Sequence, residues 1–356
     1  MSDTHQNGGG RSLWQRLFEP PAIGRAAPGS RIIVYTLLIG WTIFVLFPIY
    51  WLVITSFKTR TDYINGPFFL PFVDFQPSLH AWTDLLVTDW KDTIGAYVNS
   101  LVIAPASTVL SVIVGSMAAY ALARIEYKPK FGSIVLFVLL TAAAVVVADY
   151  ALLDWWVAFA IAMALFFFLL KAVGRHFRRR LSNGDILFWI ISQRILAPIV
   201  VIVPIYLMFK ELGLIDNHIA LILAYCVINL PIVVWLMYDF FNSIPIDLEE
   251  SAQLDGASRV RTFWEVVLPL SRPGLAATAL LVLILAWNEY LLAVFLSTTH
   301  AQTMPILVAA MNAGEKGILW WSMSVVIIVM IIPVVLLALV LQRFISKGVL
   351  LGAVKG

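Results

Sequence analysis

The chain is predicted to be an all-α polytopic membrane protein with about eight transmembrane helices. Three observations carry that expectation. Of its 356 residues 61% are hydrophobic and 13% charged, against about 25% charged in a typical soluble domain. Mean hydropathy is +0.91. The apolar residues gather in eight runs, most of them close to the ~20 residues that a helix needs to cross a bilayer.

Residues 1–31 are polar, with Gly8-Gly9-Gly10, Pro20-Pro21 and four arginines, and read as a tail. The first run, Ile32–Phe57, has no charge and no small-residue cleavage site after it, so an uncleaved anchor is expected rather than a signal peptide. Residues 58–96 are polar and contain Pro67, Pro71 and Pro77, a small structured excursion on the outer side. Tyr97–Leu122 forms the second span and completes the segment 32–123. Phe131–Ala148 and Trp155–Leu170 then form a transmembrane hairpin that ends in Lys171, Arg175, Arg178, Arg179 and Arg180, so that hairpin and basic loop occupy 131–180. The remaining spans are Asp185–Phe209, Ile219–Tyr238, Gly274–Leu296 and Trp320–Phe344, inside a core of 185–345. Residues 346–356 are a short tail, too Gly-rich to fold alone.

Lysine and arginine set the orientation. With the first tail inside, 18 of them fall on the inner side and five outside, with Arg194 within a span. Both termini are then cytoplasmic, as is the polar segment 245–272 between the sixth and seventh spans. In that segment Asp247 stands three residues before Glu250, a capping-box spacing that starts a helix. Gly256 suits the end of that helix, because a residue without Cβ accepts the left-handed conformation found there. Ser258 is placed to cap a second short helix, and Pro269 to stop it. A helix–Gly–helix knob with exposed acids at a membrane surface needs a partner.

The segment resembles the EAA loop of ABC-importer membrane subunits. Glu250, Ser251 and Ala252 fill the Glu-Ala-Ala triplet, Gly256 follows at the family distance, and Val266, Leu268 and Pro269 fall in register. Ser251 and Val266 depart conservatively from Ala and Ile. The resemblance implies that the knob docks into a cleft of an ATPase. Glu249 and Glu250 would supply charge, Gly256 the bend, and Leu268-Pro269 the return to the membrane, with Asp255 in the same docking loop. It also implies a six-helix importer core, into which the hairpin 131–180 is inserted; an even number of added spans preserves the downstream orientation. The hairpin reads either as a lipid-facing addition or as a contact with another permease subunit.

Other constellations are sparser. Asn288 and Glu289 lie past the middle of the seventh span, where a carboxylate is costly and faces a cavity or partner. They resemble the Asn-Glu of sugar-importer subunits, which implies a place near the translocation path or gate; an interhelical hydrogen bond is the structural alternative. Arg194 either snorkels to the inner surface or pairs with a carboxylate, but its expected depth differs from that of Glu289. The end Gly352-Ala353-Val354-Lys355-Gly356 resembles the tail of maltose-type subunits, which implies that Gly352, Val354, Lys355 and Gly356 touch the ATPase; a frayed end is the alternative. Five scattered histidines and the lone Cys226 offer no metal site and no disulfide framework. There is no Walker A, Gly-x-Ser-x-Gly or His-Glu-x-x-His pattern, so no catalytic residue is expected here.

Taken together, the chain resembles a carbohydrate-type ABC-importer permease of the bacterial cytoplasmic membrane. The resemblance implies a heterodimer with a second permease subunit, two ATPase subunits that bind ATP and Mg, and an external substrate-binding protein. No cofactor on this chain and no nucleic acid are expected. Rival readings are an importer for a polyamine, a phosphate ester or another non-sugar solute, and a self-sufficient secondary transporter. The last should show inverted repeats or several intramembrane charges, and an integral-membrane enzyme should show paired catalytic groups; neither pattern is evident.

Overall fold

The computed structural model describes residues 27–150, 154–177, 179–196, 198–312 and 318–352. Six of its helices are long and apolar enough to cross a membrane, and two bent helix pairs raise the number to as many as eight. The chain forms two compact units. One comprises the described residues of Met1–Trp90 and Met311–Val329, the other those of Lys91–Ala310 and Met330–Gly356.

The first unit is built on α1 (Pro28–Thr55), which starts with a proline where its missing N–H costs nothing. Its apolar side chains from Ile32 to Val53 are almost all exposed, as lipid or a partner helix requires. The polar excursion is ordered by local hydrogen bonds. Thr59 and Asp62 form a capping box that starts α2 (Arg60–Asn65), and the Asp74 carboxylate accepts from the backbone N–H groups of Phe69 and Leu70. Those two donors, Leu70 first, hold the Asp74 carboxyl below its ordinary range.

The second unit contains α3 (Trp90–Arg124, from Lys91 on), α4 (Phe131–Tyr150), α5 (Trp155–Val173), α6 (Asn183–Ser192) and α7 (Pro198–Glu211). There follow α8 (His218–Asn242), α9 (Asp247–Leu254), α10 (Arg259–Thr262), α11 (Arg272–Trp287), α12 (Leu291–Leu296) and α13 (Met304–Asn312), although Met311 and Asn312 count with the first unit. Helix α14 (Trp320–Gly352) starts in the first unit and ends in the second. Its helical conformation reaches Gly352, so the first residues of the expected tail continue a helix and need not fold alone.

Two apolar clusters stack along α3, α8 and α11. One centres on Ile103, Leu221, Tyr225 and Trp287; the other, on Val233, Met237, Phe241 and Val282, also takes in Phe263 and Val267 beyond α10. Helices α3 and α8 approach so closely that a Cβ on Gly115 would lie 2.5 Å from Val233 Cγ1, which is why a glycine stands there. Helices α4 and α5 pack on each other along Ala144, Ala158 and Ala162, small residues that let helix backbones approach in an apolar solvent. The base of this hairpin is closed by an antiparallel bridge between Lys130 and Arg180. Phe131 N–H reaches Arg179 O and Leu181 N–H reaches Pro129 O, both at 2.9 Å. The chain therefore leaves the bundle and returns to it at one point.

Candidate functional site

The knob follows α8 through Pro245 and Ile246. Pro245 sets the first turn, and Ile246, already helical in φ and ψ, occupies the N-cap of α9 without a side-chain cap. The expected capping role of Asp247 is therefore corrected. Asp247 lies one residue inside the helix, and the Glu249 and Glu250 N–H groups bond to Ile246 O instead. Three acids in the first turn suit the positive end of the helix dipole.

The C-terminus of α9 has both bonds of a Schellman motif: Ala257 N–H to Ala252 O and Gly256 N–H to Gln253 O, each 3.0 Å. Gly256 has φ of +88° and open space where a Cβ would stand. Ser258 Oγ accepts from Arg261 N–H and caps α10. The helix does not stop at Pro269, as the sequence suggests. It widens into a π-turn at Phe263–Val267, where Leu268 N–H bonds to Phe263 O, and passes through the proline before bending 80° into α11 at Ser271.

Glu250, Ser251, Asp255 and Gly256 are exposed, while Ala252, Val266, Leu268 and Pro269 are half-buried. Glu249 behaves otherwise. It is 2% exposed, with Arg124 Nε 2.6 Å from its Oε1 and Tyr120 OH 2.8 Å from its Oε2. The expectation that Glu249 offers charge to a partner is corrected: its charge is already neutralised inside the chain. An unpaired carboxylate there would be costly to bury. Besides its acids and other polar residues, the knob exposes apolar side chains. Leu254 is 88% and Val260 68% exposed, and Ile246, Leu248 and Trp264 are exposed as well. Neither Leu254 nor Val260 stands out in the sequence, because a lone Leu or Val in a polar segment reads equally well as a core residue.

Two spans expected to be continuous are broken, and the breaks meet. The fifth divides into α6 and α7 at a 3-10 turn, Gln193–Ile195, followed by an extended Leu196. The seventh divides into α11 and α12 at Asn288, Glu289 and Tyr290. Asn288 Nδ2 donates to Ile284 O, the Glu289 side chain accepts from Leu292 N–H, and Tyr225 OH donates to Glu289 O. Leu292 N–H and Glu289 O, beside the break, are thus met by side chains, as non-helical backbone at membrane depth requires. Gln193, Arg194, Asn229 and Glu289 line one cavity of about 540 Å3. Among the described residues Arg194 forms no ion pair with a carboxylate; it donates to Ile228 O and Asn229 Oδ1. It nevertheless shares that cavity with Glu289, although a residue count along each span sets the two apart.

At the end of the unit away from the knob, the Asp216 carboxylate accepts from the N–H groups of Thr298, Thr299, His300 and Ala301. Burial pushes its carboxyl up, yet these donors, His300 and Ala301 foremost, outweigh that and hold it well below the ordinary carboxylate range. Asn99 Nδ2 donates to His300 O and Gln302 O, and His218 Nε2 lies 2.8 Å from Asn99 Oδ1. Ser100 Oγ accepts from Met304 N–H. The expected C-terminal contacts at Val354, Lys355 and Gly356 lie outside the described residues, and Gly352 is the last residue of α14. Among the described residues no group of three or more His, Cys, Asp and Glu is placed to hold a metal ion.

A multi-pass bundle with a largely apolar cavity that carries four polar side chains between broken helices, and a helical knob projecting from one end, has the build of a solute permease. The known proteins agree. Residues 184–351 match the family described as binding-protein-dependent transport system inner membrane component. The trehalose/maltose transport system permease protein of Thermococcus litoralis is 30% identical over 329 residues, covering 92% of this chain and 98% of that one. The diacetylchitobiose uptake system permease protein of Streptomyces coelicolor is 29% identical over 336 residues, with coverage of 92% and 91%. A bacterial ABC transporter involved in the import of the acidic polysaccharide alginate has the same fold, with a TM-score of 0.57 at 22% identity over 89% of this chain and 98% of that one. The chain belongs to the binding-protein-dependent transport system inner membrane components, and is a multi-pass permease subunit of an ABC importer.

Proposed function

We propose that this permease carries a sugar or sugar-like solute into a bacterial cell as one half of a heterodimer with a second permease subunit. The observation that carries the reading is the knob, whose exposed Glu250, Asp255, Leu254 and Val260 surround two fixed helix ends. The knob docks into one of two ATPase subunits, which hold ATP and Mg, and an external binding protein delivers the solute. The excess of Lys and Arg on the knob's side supports a cytoplasmic location for it and for both termini. This chain then receives ATP-driven motion and performs no hydrolysis. The names of the trehalose/maltose and diacetylchitobiose permeases support the sugar class. The cavity at Gln193, Arg194, Asn229 and Glu289 is where the path crosses this subunit, since planar amide, guanidinium and carboxylate groups match pairs of hydroxyls. The hairpin 131–180 is an inserted, peripheral element, supported by the single point at which the chain leaves and re-enters the bundle.

The test is to purify the chain with its partners and screen trehalose, maltose, diacetylchitobiose and non-sugar solutes for binding-protein-dependent stimulation of ATP hydrolysis. Stimulation by a sugar is the expected result, and stimulation only by a polyamine or phosphate ester overturns the sugar class. Gly256→Asp tests the docking. A Cβ there meets open space, so the fold bears only backbone strain, and loss of the ATPase from the purified complex is the expected outcome. Normal copurification and transport would remove the docking role.

A further inference from the structure

Three elements converge on Arg124, the last residue of α3. Its Nε bonds to Glu249 in α9 at 2.6 Å, and one terminal nitrogen donates to Phe241 O and Ile244 O, at 2.9 and 3.0 Å, where α8 ends. Tyr120, one turn earlier on α3, donates to the second oxygen of Glu249. Each charge sits where a helix dipole favours it, the guanidinium at the carbonyl end of α8 and the carboxylate in the first turn of α9.

The chain path makes this arrangement mechanical. The knob is covalently continuous with α8 before it and α11 after it, but α3 reaches it only through side chains. Part of that contact is apolar, as where the Tyr120 ring lies 4.8 Å from that of Phe263. Apolar contact is non-directional and resists sliding weakly. A planar guanidinium fork with three acceptors on two elements is directional, and α9 cannot shift against α3 without breaking it.

We propose that Arg124 is a positioning residue for transport: by locking Glu249 it makes α3 move with the knob, so that knob displacement drives three spans instead of two. The inference rests on the reading of the knob as ATPase-docked. Because Glu249 faces inward while Glu250, Leu254 and Val260 face out, removing Arg124 leaves the docking surface in place.

The test uses the purified complex with its second permease subunit and ATPase in lipid nanodiscs, in a Cys226→Ser background. Spin labels on Val109→Cys in α3 and Asp247→Cys in α9, both exposed positions, report the distance between span and knob. In the parent that distance is expected to be the same without nucleotide and with a non-hydrolysable ATP analogue. In Arg124→Ala the ATPase is still expected to copurify, and the distance to shift only when nucleotide is bound. Glu249→Met removes the acceptor on α9 at similar side-chain volume and is expected to give the same nucleotide-dependent shift if Arg124→Ala does not insert. A distance unchanged in both states overturns the proposal. So does a change of equal size with and without nucleotide, which marks a structural contact only, and so does failure of both variants to assemble. Absence of an ATPase from the parent complex overturns the docking reading itself, and the lever with it.

Discussion

The two ends of the second unit are tied by opposite chemistry. At the knob end a charged side-chain pair, Arg124 and Glu249, joins α3, α8 and α9. At the far end a carboxylate and an amide capture backbone groups: Asp216 takes four successive N–H groups of the loop after α12, and Asn99 takes two of its carbonyls. The first device connects rigid helices and depends on one side-chain pair. The second pins a loop through many backbone groups. The former suits a knob that, on the proposed reading, passes on motion; the latter suits a loop that keeps one shape.

Variants at the two ends sharpen or break this contrast. The largest effect is expected from Arg124→Ala, which strands a buried carboxylate; removing one partner of a buried pair costs about 3–5 kcal/mol. Hydrogen exchange across α9 and α10 should rise sharply. Glu249→Gln should be milder, since the amide oxygen still accepts from Arg124 and Tyr120; equal losses would mean that charge pairing is not what holds the knob.

Next comes Asp216→Asn, which weakens charge-assisted bonds worth about 1.5–3 kcal/mol each and should raise exchange at 298–301 while leaving the knob unchanged. A rise at both ends would erase the distinction between them. The far end also has its own pH dependence. The Asp216 carboxyl is depressed in the folded state, so its contribution is fully present above the ordinary value of about 3.9 and is lost only as pH falls through the depressed one. Exchange at 298–301 should therefore stay slow down to pH 4, and an opening between pH 5 and 4 would contradict the arrangement. The smallest effects belong to the caps: Gly256→Ala and Ser258→Ala should each cost about 1 kcal/mol, read as slightly faster exchange in α9 or α10.

Much of the architecture was legible in the chain. Apolar runs located the spans, because an unpaired peptide group in hydrocarbon forces a helix and a helix has a fixed rise. The left-handed Gly256 and the Ser258 cap were legible because both depend on residues within a few positions of one another. The exact breaks in the fifth and seventh spans were not: Pro198 and Pro204 mark the fifth as kinked, but the apolar residues around Arg194 and Asn288 give no signal of where the ladder opens. Nor was the inward turn of Glu249. Two adjacent glutamates look alike in sequence, and helical geometry sets them about 100° apart on the helix.

By itself, then, the sequence determined the helical class, the segment that protrudes and its family, all consequences of local composition and short-range spacing. The tertiary structure alone decided which glutamate is exposed, that Arg194 and Glu289 share a cavity, and that Arg124 ties its own helix to two others. Each of these depends on residues far apart in the chain, as Arg124 and Glu249 are, whose approach is set by how helices pack and not by any pattern along one of them.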